Sequence, residues 1–584
     1  MDKSEIANVL EQVAALLELK EGSNVFEVRA YQNAARSVNS LDGDIEELTR
    51  AGKLKGTPGL GTTIIKRIEE LVNTGKMAFY EELVNNTPAI KLEMMRIPGV
   101  GPKKINAIYN QLHVNSIDEL VQACQEHQVA SLPGFGKKTE EKILQGIAFL
   151  AQHSDRHLYS EVEEQARLMQ EALSSVPGIV RMQVAGSLRR RRETVKDIDM
   201  VISVADDASD EVRAKIMEVF TSQPNVQIIT GKGTTKSSVV LAKGINMDLR
   251  VVGDSQFPYT LHHFTGSKEH HIPLRRRALS MNMTINDYGL FRGKEPHLEL
   301  VPCKDETELY AALGLDYIEP ELREDMGEIE AAARHQLPKL VQESDLKGVL
   351  HTHSTWSDGH NSLREMVEAC LKRGYTYLGM SDHSKTAAYA GGLNEDALKR
   401  QHEEIDRLNE EYKGRIRIFK GIECDILRDG ALDFSDEVLS TLDFVVASIH
   451  SQFNLSQQEQ TRRVLRAIAH PYVDIIGHPT GRLLLSREGY PIDLDAVIDA
   501  AAEHGVCIEI NAHPSRLDLD WRYLHRAREK GIKIPINPDA HAADGIDVMR
   551  YGVYIARKGW LRASDVLNTM SAEEIEAFFR GRRK

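Results

Sequence analysis

Residues 186–199 read Gly-Ser-Leu-Arg-Arg-Arg-Arg-Glu-Thr-Val-Lys-Asp-Ile-Asp, and this stretch decides the fold of the middle of the chain. It leads into a β-branched run over 195–204, where Asp197 and Asp199 stand two residues apart. Residues two apart on a strand face the same side, so we expect both carboxylates to project together. Carboxylates so close repel each other unless cations lie between them, and they can bridge two Mg²⁺ ions. The stretch therefore predicts a magnesium site on a strand.

A third carboxylate and a small turn surround this pair. Asp248, within Met-Asp-Leu-Arg on a later β-branched run, can complete the set from a neighbouring strand. Gly186 and Ser187 form a small turn upstream, and with Arg190 they would hold a triphosphate. An Asp-x-Asp pair alone carries little information. Together with the upstream Gly-Ser and the third Asp, it is similar to a nucleotidyltransferase palm.

Bulk composition describes an ordinary globular chain. At 584 residues it should divide into about four units. No apolar run approaches the ~20 residues of a membrane span, and the first residues lack a signal-peptide core. The five cysteines form no CxxC pair and are expected to be free thiols. We therefore expect a cytoplasmic protein with no membrane association.

The net charge of −14 would ordinarily argue against nucleic-acid binding. The charge is uneven, however, because residues 181–196 and 275–277 are dense basic islands. Local potential governs phosphate binding, so the net charge does not exclude it.

A Pro-Gly-x-Gly pattern occurs three times in residues 1–150, which are expected to be almost wholly helical. Glycines permit a tight left-handed turn and a close approach to a phosphate, and the next helix points its N–H groups at the anion. A single copy could be a plain helix–helix turn, but three copies resemble the helix-hairpin-helix motif, which grips DNA backbone without reading sequence. The candidate DNA-binding glycines are Gly59, Gly61, Gly99, Gly101, Gly134 and Gly136. Residues 231–237 are rich in Gly and Lys, but their spacing does not fit a P-loop and predicts a hairpin turn.

After residue 347 short apolar runs alternate with helical stretches about seven times, which indicates a parallel sheet closed as a barrel. Several potential metal ligands lie at the C-terminal ends of these runs, the rim where β/α barrels build their sites. Mixed imidazole and carboxylate sets suit Mn²⁺, Zn²⁺ or Fe. The candidates are His351, His353, Asp358, His383, Glu423, His450, His478, Asp539 and His541.

Phe264-Thr265-Gly266-Ser267, then Arg275 and Thr284-Ile285-Asn286-Asp287-Tyr288, are similar to the thumb of family X DNA polymerases. With the barrel, the whole chain resembles a bacterial family X DNA polymerase fused to a polymerase-and-histidinol-phosphatase (PHP) domain. The implied fold is multidomain: an all-α helix-hairpin-helix region, an α+β palm and thumb, and an α/β distorted (β/α)7 barrel. We expect an N-terminal 8-kDa-like hairpin domain at 1–85, a fingers-like hairpin domain at 86–152, the palm at 153–254, the thumb at 255–318, an acidic linker at 319–346 and the PHP domain at 347–584.

The resemblance also implies site roles in the polymerase half. Asp197, Asp199 and Asp248 would be the catalytic metal ligands, with Asp248 nearest the primer 3′ hydroxyl. Mg²⁺ ions there would lower the pKa of that hydroxyl and neutralise the leaving pyrophosphate. The implied nucleotide-binding residues are Gly186, Ser187, Arg190, Gly266, Ser267 and His271, and Arg275 would contact DNA.

In the barrel the resemblance implies up to three ions, Mn²⁺ or Zn²⁺, and phosphoester hydrolysis. One ion would lie among His351, His353, Glu423 and Asp539. A second would be held by Asp358, His383 and His541, and a third by Glu423, His450 and His478. Arg482 beside His478 could contact a phosphate or form a structural salt bridge.

Three positions depart from the family pattern. Arg67, with Lys66 beside it, stands where relatives place a lyase lysine, and a guanidinium cannot form a Schiff base. His263 and His271 replace a tyrosine and an asparagine near the sugar and base, so discrimination between deoxy- and ribonucleotides is not assumed.

The resulting prediction is a monomeric, gap-filling repair polymerase that acts on gapped or primer-template DNA with deoxynucleoside triphosphates. Its barrel would be a metal-dependent 3′→5′ exonuclease, with 3′-phosphatase or abasic-site nicking as further hydrolytic options. Two alternatives stay open: a barrel that only positions DNA or supports the structure, and a small-molecule phosphatase unrelated to DNA.

Overall fold

A computed structural model describes residues 3–20, 22, 24–39, 41, 45–153, 155–294 and 297–582. The chain divides into two compact units. The first comprises Met1–Ser154 with Gly359–Asn361, and the second comprises Asp155–Asp358 with Ser362–Lys584. Within the described residues, no helix combines the length and the apolar composition needed to cross a membrane.

The first unit is helical, as predicted. Its first described helix buries Ile6, Leu10, Val13, Leu16 and Leu17, which lie on one face at helical spacing. The described helices are Lys3–Leu19, Val25–Asn39, Ile45–Arg50, Thr62–Thr74, Ala78–Asn85, Ala89–Met95, Pro102–Leu112, Ile117–Gln125 and Lys137–His153, with a 3-10 turn at Val129–Ser131.

The three Pro-Gly-x-Gly segments adopt the turn that their glycines predict. Gly59, Gly99 and Gly134 have φ of 84°, 77° and 81°, the left-handed region that favours glycine. The second glycine then precedes a helix: Gly61 and Gly101 have extended backbone angles and cap Thr62–Thr74 and Pro102–Leu112. Each turn therefore presents the first N–H groups of a helix beside glycine backbone.

In the second unit, a five-stranded sheet forms the palm. Its order is Ile179–Val184, Asp197–Val204, Asn246–Gly253, Lys236–Leu241 and Val226–Lys232, and the second and third of these strands are parallel. The last two form an antiparallel hairpin that pairs Lys232 with Ser237, so the turn predicted over 231–237 is confirmed. His157–Leu158 and Thr194–Val195 make a separate two-stranded pair.

The thumb carries a smaller antiparallel sheet of Met283–Ile285, Leu290–Lys294 and His297–Leu300. Helices cover both sheets. They are Tyr159–Ser174, Gly186–Arg189, Asp210–Thr221, Phe257–Thr265, Lys268–Ser280 and Glu306–Ala312, with a 3-10 turn at Ala242–Gly244.

Parallel strands curl into the predicted C-terminal sheet, with each of the seven expected apolar runs contributing one strand. A parallel bridge between Thr352 and Ala540 links the last strand back to the first. The strands are Gly348–Val349, Tyr377–Met380, Arg417–Asp425, Phe444–Ser448, Ile475–Ile476, Cys507–Ile508 continued by Ile510–Asn511, and Ile536–Asn537.

Helices surround this sheet. The α-helices are Leu363–Lys372, Glu395–Glu411, Asp436–Leu439, Gln457–Ile468, Leu494–His504, Trp521–Glu529, Met549–Lys558 and Ala572–Arg582. The 3-10 turns are Ala388–Ala390, Asp544–Val548, Ala563–Asp565 and Leu567–Thr569. The five cysteines of the chain are free and buried, as expected from their spacing.

Residues 319–346, expected to be an acidic linker, are instead packed into the second unit. They form the short helices Pro320–Leu322, Glu328–Ala333 and Glu343–Asp345. Arg323 is fully buried, where its guanidinium binds Glu306 at 2.5 Å and the carbonyl of Ile318 at 2.9 Å. The acidic composition suggested a solvated linker. In the structure, several of these carboxylates instead bind arginines and histidines from elsewhere in the chain.

Replacing Arg323 with leucine should lower the free energy of unfolding by about 3 kcal/mol or more, because a buried carboxylate loses a partner. Urea denaturation of the whole chain measures this. Arg334→Leu is the matched control, since Arg334 is exposed on the same segment. Equal, small effects of the two substitutions would show that the segment is a tether after all.

Candidate metal centres

The palm centre is built by two parallel strands in register. Asp199 on Asp197–Val204 is the direct neighbour of Asp248 on Asn246–Gly253, and Asp197 lies one side-chain repeat away on the same face. Gly186 begins the adjoining turn with φ of 62°, and a Cβ there would stand 2.4 Å from the Asp199 carboxylate. The turn therefore needs glycine both for its backbone angle and for the space that Asp199 occupies.

Like charges dominate this centre. Burial, followed by repulsion from Asp197 and Asp248, raises the pKa of Asp199 to about 7. Burial and Asp248 also raise the pKa of Asp197. Asp248 is partly neutralised, because the Lys236 ammonium lies 2.7 Å from its carboxylate. Lys236 was missed in the sequence, since only the pairing of its strand with Asn246–Gly253 brings it, two residues out of register, beside Asp248.

An all-oxygen donor set whose members resist ionisation together suits a hard divalent cation. The palm carboxylates are nevertheless more widely spaced than the barrel ligands. Among the described residues, sets of three or more candidate ligands with all donor atoms within 4.8 Å of one another occur only in the barrel. Mutual repulsion and the Lys236 contact account for the more open arrangement at the palm.

The arginine run after this turn contacts protein partners. Arg190 is predicted to hold a triphosphate, and its guanidinium here binds Glu324 at 3.0 Å and the Thr265 carbonyl at 2.7 Å. Arg189 binds Glu306 at 2.5 Å in the same manner. Much of the basic island at 181–196 is therefore neutralised internally and does not supply a free positive surface.

The thumb candidates gather around the start of the helix Lys268–Ser280. Ser267 caps that helix by accepting a hydrogen bond from the His270 amide at 3.0 Å, and Gly266 precedes it. Burial lowers the pKa of His271 to about 4, so the ring is neutral and donates from Nε2 to the His263 carbonyl at 2.9 Å. Arg275 is exposed one turn further along.

In the barrel, all nine predicted ligands converge beyond the C-terminal ends of the strands. The donor atoms of eight of them form three overlapping groups. These are His353, Asp358, His383 and His541; His351, His353, Glu423 and Asp539; and His383, Glu423 and His450. The grouping differs from the expected one in two respects: His353 also joins the first of these groups, and His383 takes the place expected for His478 in the last. His478 contacts the Glu423 carboxylate at 3.0 Å.

Glu423 lies at the middle of this centre and is buried. One of its oxygens lies 3.0 Å from His383 Nδ1 and 3.4 Å from His351 Nε2, and the other lies 3.2 Å from His450 Nε2. Two further ligands, His353 and Asp539, approach each other to 3.1 Å. A single carboxylate is thus within reach of ligands from four different strand ends.

A second layer of carboxylates orients the imidazoles. Glu509 accepts from His351 Nδ1 at 2.7 Å, and Asp425 accepts from His450 Nδ1 at 3.0 Å. Such partners fix which ring nitrogen is free to coordinate a metal. Glu509 and Asp425 were not identified from the sequence. Their positions at strand ends beside known candidates were the available signal.

Several ligand atoms here are buried without a hydrogen-bond partner, which is costly for polar groups. They are His351 Nε2, His353 Nδ1, His383 Nδ1, Glu423 Oε2 and His478 Nδ1. The 3.0 Å approach of His383 Nδ1 to Glu423 Oε2 does not have the angles of a hydrogen bond. Although burial opposes it, Glu423 and Asp425 raise the pKa of His450 to about 10. Burial, then His541 and His383, lowers the pKa of His353 to about 3. Buried, unpartnered donors of this kind fit divalent metal ions.

Two other arginines have structural partners. Arg482 binds Asp520 at 2.6 Å and the Arg516 carbonyl at 2.9 Å, so the salt-bridge alternative fits its position. Arg67 lies 3.4 Å above the centre of the Phe79 ring, and burial lowers its pKa. It therefore packs as a cation on an aromatic face.

The chain has relatives among known proteins. Relatives include DNA polymerase/3′-5′ exonuclease PolX of Bacillus subtilis (strain 168), 41% identical over 582 residues, 99% of this chain and 100% of the relative. Probable phosphatases match a smaller share of the chain. That of Thermoanaerobacter sp. (strain X514) is 31% identical over 38% of this chain and 91% of its own length. That of Caldanaerobacter subterraneus subsp. tengcongensis is 29% identical over 41% of this chain and 94% of its own length.

Family models match five stretches of the chain. They are a helix-hairpin-helix domain at 1–77, a SAM-like helix-hairpin-helix tandem at 91–148, a DNA polymerase beta palm at 158–238, a DNA polymerase beta thumb at 260–324 and a PHP domain at 349–513. The fold and its two centres thus define a polymerase-beta-type palm and thumb joined to a PHP barrel. The chain belongs to the family of DNA polymerase/3′-5′ exonuclease PolX. Its polymerase and PHP domains imply dependence on divalent metal ions.

The raised pKa of Asp199 predicts that this carboxyl group lowers the stability of the fold by an amount that depends on pH. A carboxyl whose folded pKa is about 7, against about 4 when unfolded, destabilises the fold increasingly as the pH rises from 4 to 7. With a chelator present, Asp199→Asn should therefore raise the melting temperature, and the gain should be about 2–4 °C larger at pH 8 than at pH 5. Differential scanning calorimetry measures it. An increase in melting temperature that is the same at both pH values would contradict the raised pKa of Asp199.

Proposed function

We propose that this chain is a DNA-directed DNA polymerase that fills short gaps in DNA repair and also degrades DNA 3′ ends in its PHP barrel. The observation that carries the proposal is the coexistence, in one compact unit, of the register-paired palm carboxylates and the three overlapping ligand groups of the barrel. The relative that is similar over the whole chain is named for both activities.

In the palm, Asp197, Asp199 and Asp248 would hold Mg²⁺. Bound there, Mg²⁺ supplies charge neutralisation for the triphosphate and lowers the pKa of the attacking 3′ hydroxyl. The chain's own contribution is to orient the metal-binding carboxylates. Gly186 lets the turn approach Asp199 without a side chain, and Lys236 holds Asp248 toward the same face.

Gly186, Ser187, Gly266, Ser267 and His271 are the proposed nucleotide contacts. Arg189 and Arg190 link the two glycine turns, because both donate to Thr265, beside Gly266. Arg190 is likewise a proposed nucleotide contact, and its bonds to Thr265 and Glu324 hold its guanidinium beside the Gly266 turn. Arg275, exposed on the thumb, is the proposed DNA contact there.

In the barrel, the nine ligands would hold up to three ions of Mn²⁺ or Zn²⁺. Ions bound there supply Lewis-acid activation of water and hold the scissile phosphodiester. Glu423 joins the groups, while Glu509 and Asp425 fix the tautomers of His351 and His450. The buried donor atoms without partners favour a catalytic barrel over one that only positions DNA.

Two variants should separate the activities. Asp199→Ala should lower nucleotide addition to a gapped primer on the order of 1,000-fold, because the palm loses a central metal ligand, and leave digestion of a labelled 3′ end intact. His353→Ala should lower Mn²⁺-dependent digestion by a similar factor and leave extension intact. Both reactions are followed on the same labelled DNA with Mg²⁺ and Mn²⁺ compared.

Asp207→Ala and His470→Ala are the matched controls, because both side chains lie outside the two centres. Loss of both activities in either test variant would mean one shared site. Digestion that persists in His353→Ala would place the nuclease elsewhere or remove it from this chain. Release of only a terminal phosphate would make the barrel a 3′-phosphatase.

We also propose that the three hairpins hold DNA backbone through Gly59, Gly61, Gly99, Gly101, Gly134 and Gly136. A Cβ added at Gly61, Gly101 or Gly136 would meet nothing within 4 Å, so alanine fits there without strain. The triple variant Gly61→Ala, Gly101→Ala, Gly136→Ala should bind gapped DNA about tenfold more weakly, because methyl groups hold phosphates away from the helix N–H groups.

Fluorescence anisotropy on gapped DNA measures this affinity, and circular dichroism checks that the helices remain. Gly581→Ala is the control, since its added Cβ also meets nothing within 4 Å. An affinity equal to that of the parent chain, with folding intact, would exclude these turns as the DNA contact.

A further inference from the structure

The arginine run after the Gly186 turn ends in contacts with the PHP barrel. The carbonyl of Arg190 accepts a hydrogen bond from the Lys558 ammonium at 3.0 Å. Lys558 is the last residue of the barrel helix Met549–Lys558 and is buried. Its ammonium also lies 2.6 Å from Glu324, the carboxylate that binds the Arg190 guanidinium. A barrel side chain thus binds the main chain directly after the turn beside Asp199.

A second contact comes from the same barrel helix. The Arg191 guanidinium lies 3.8 Å above the centre of the Tyr554 ring, within the range of a cation–π interaction. The backbone of Arg191 has φ of 57°, an uncommon angle for a residue with a side chain, so its partners must hold it there. Tyr554 and Lys558, one helical turn apart, thereby grip consecutive residues of the palm.

A third contact closes the other side of the run. Glu193 accepts from the Trp521 indole at 3.1 Å and from the Arg522 guanidinium at 3.2 Å, both from the barrel helix Trp521–Glu529. The Trp521 ring in turn lies beneath the Lys558 ammonium at 4.6 Å. The two barrel helices therefore share one set of interactions with the palm.

The helix Met549–Lys558 also packs closely against the strand that leads to the barrel centre. A Cβ on Gly552 would stand 2.4 Å from Ile536 on the strand Ile536–Asn537, so the helix lies as close as glycine allows. Asp539 and His541 follow directly on that strand. The path from the barrel rim to Arg190 therefore runs through packed, buried elements.

We propose that Lys558 is a positioning residue for nucleotide addition, through which the barrel holds the Gly186–Arg190 turn against Asp199. The inference rests on the proposed polymerase function. It assigns to the arginine run a purpose different from phosphate binding: the run is the segment of the palm that the barrel grips. The chain would then depend on its barrel for accurate nucleotide placement, independently of any hydrolysis there.

The test uses Lys558→Met in the full chain. Glu324 keeps Arg190 at 3.0 Å and Arg192 at 3.5 Å, so no buried carboxylate is stranded. We expect kcat/KM for nucleotide addition to a gapped primer to fall about tenfold. Digestion of a 3′ end should stay within about twofold of the parent chain, and amide hydrogen exchange over residues 186–190 should become faster.

The double variant Lys558→Met, Glu324→Gln and the single variant Tyr554→Leu give the same readouts if Lys558→Met does not fold. Lys413→Met is the control, because Lys413 is an exposed barrel lysine paired only with Glu410 among the described residues. Unchanged nucleotide addition and unchanged exchange would overturn the proposal. So would an equal loss of both activities, which indicates lowered stability. If the parent chain extends no primer, the proposed polymerase function is refuted instead. The hydrogen-exchange measurement then still tests whether Lys558 holds the Gly186–Arg190 turn.

Discussion

Burying a charge is costly unless an opposite charge or a hydrogen-bonding partner accompanies it, and this constraint organises the second unit. Arg323 is enclosed with Glu306, Lys558 with Glu324, and Glu423 with a ring of histidines. Lys558 and Glu324 lie 234 positions apart in the sequence, and Glu306 also binds Arg189, 117 positions away. The palm, thumb, segment 319–346 and barrel are therefore connected by compensated charges as well as by apolar packing.

Local patterns were sufficient for much of the architecture. The helical face of residues 6–17, the strands that carry Asp197, Asp199 and Asp248, and the seven barrel strands all follow from apolar periodicity. The barrel ligands were identifiable because each follows a strand, and the ends of parallel strands meet on one rim. In these parts of the chain, the residues that form an element or a site follow a pattern that is visible over a short stretch of sequence.

The sequence did not predict contacts between residues that lie far apart in the chain. The acidic residues of 319–346 resembled a solvated linker because their arginine partners lie elsewhere in the chain. The contact between Arg190 and Glu324 was not predictable for the same reason, since the two residues lie 134 positions apart. Lys236, Glu509 and Asp425 escaped notice because only strand pairing brings them beside the residues that they orient. Residue type and local spacing do not encode such pairings.

Sharing of ligands in the barrel has a thermodynamic consequence. His353, His383 and Glu423 each belong to two of the three groups. An ion bound in one group would neutralise and orient a ligand of the next, so the affinities of neighbouring positions would be linked and the linkage would be reciprocal. Loading would then not behave as three separate equilibria, because each bound ion changes the ligands available to the next. The same sharing means that losing one of these three ligands would disturb two ion positions at once.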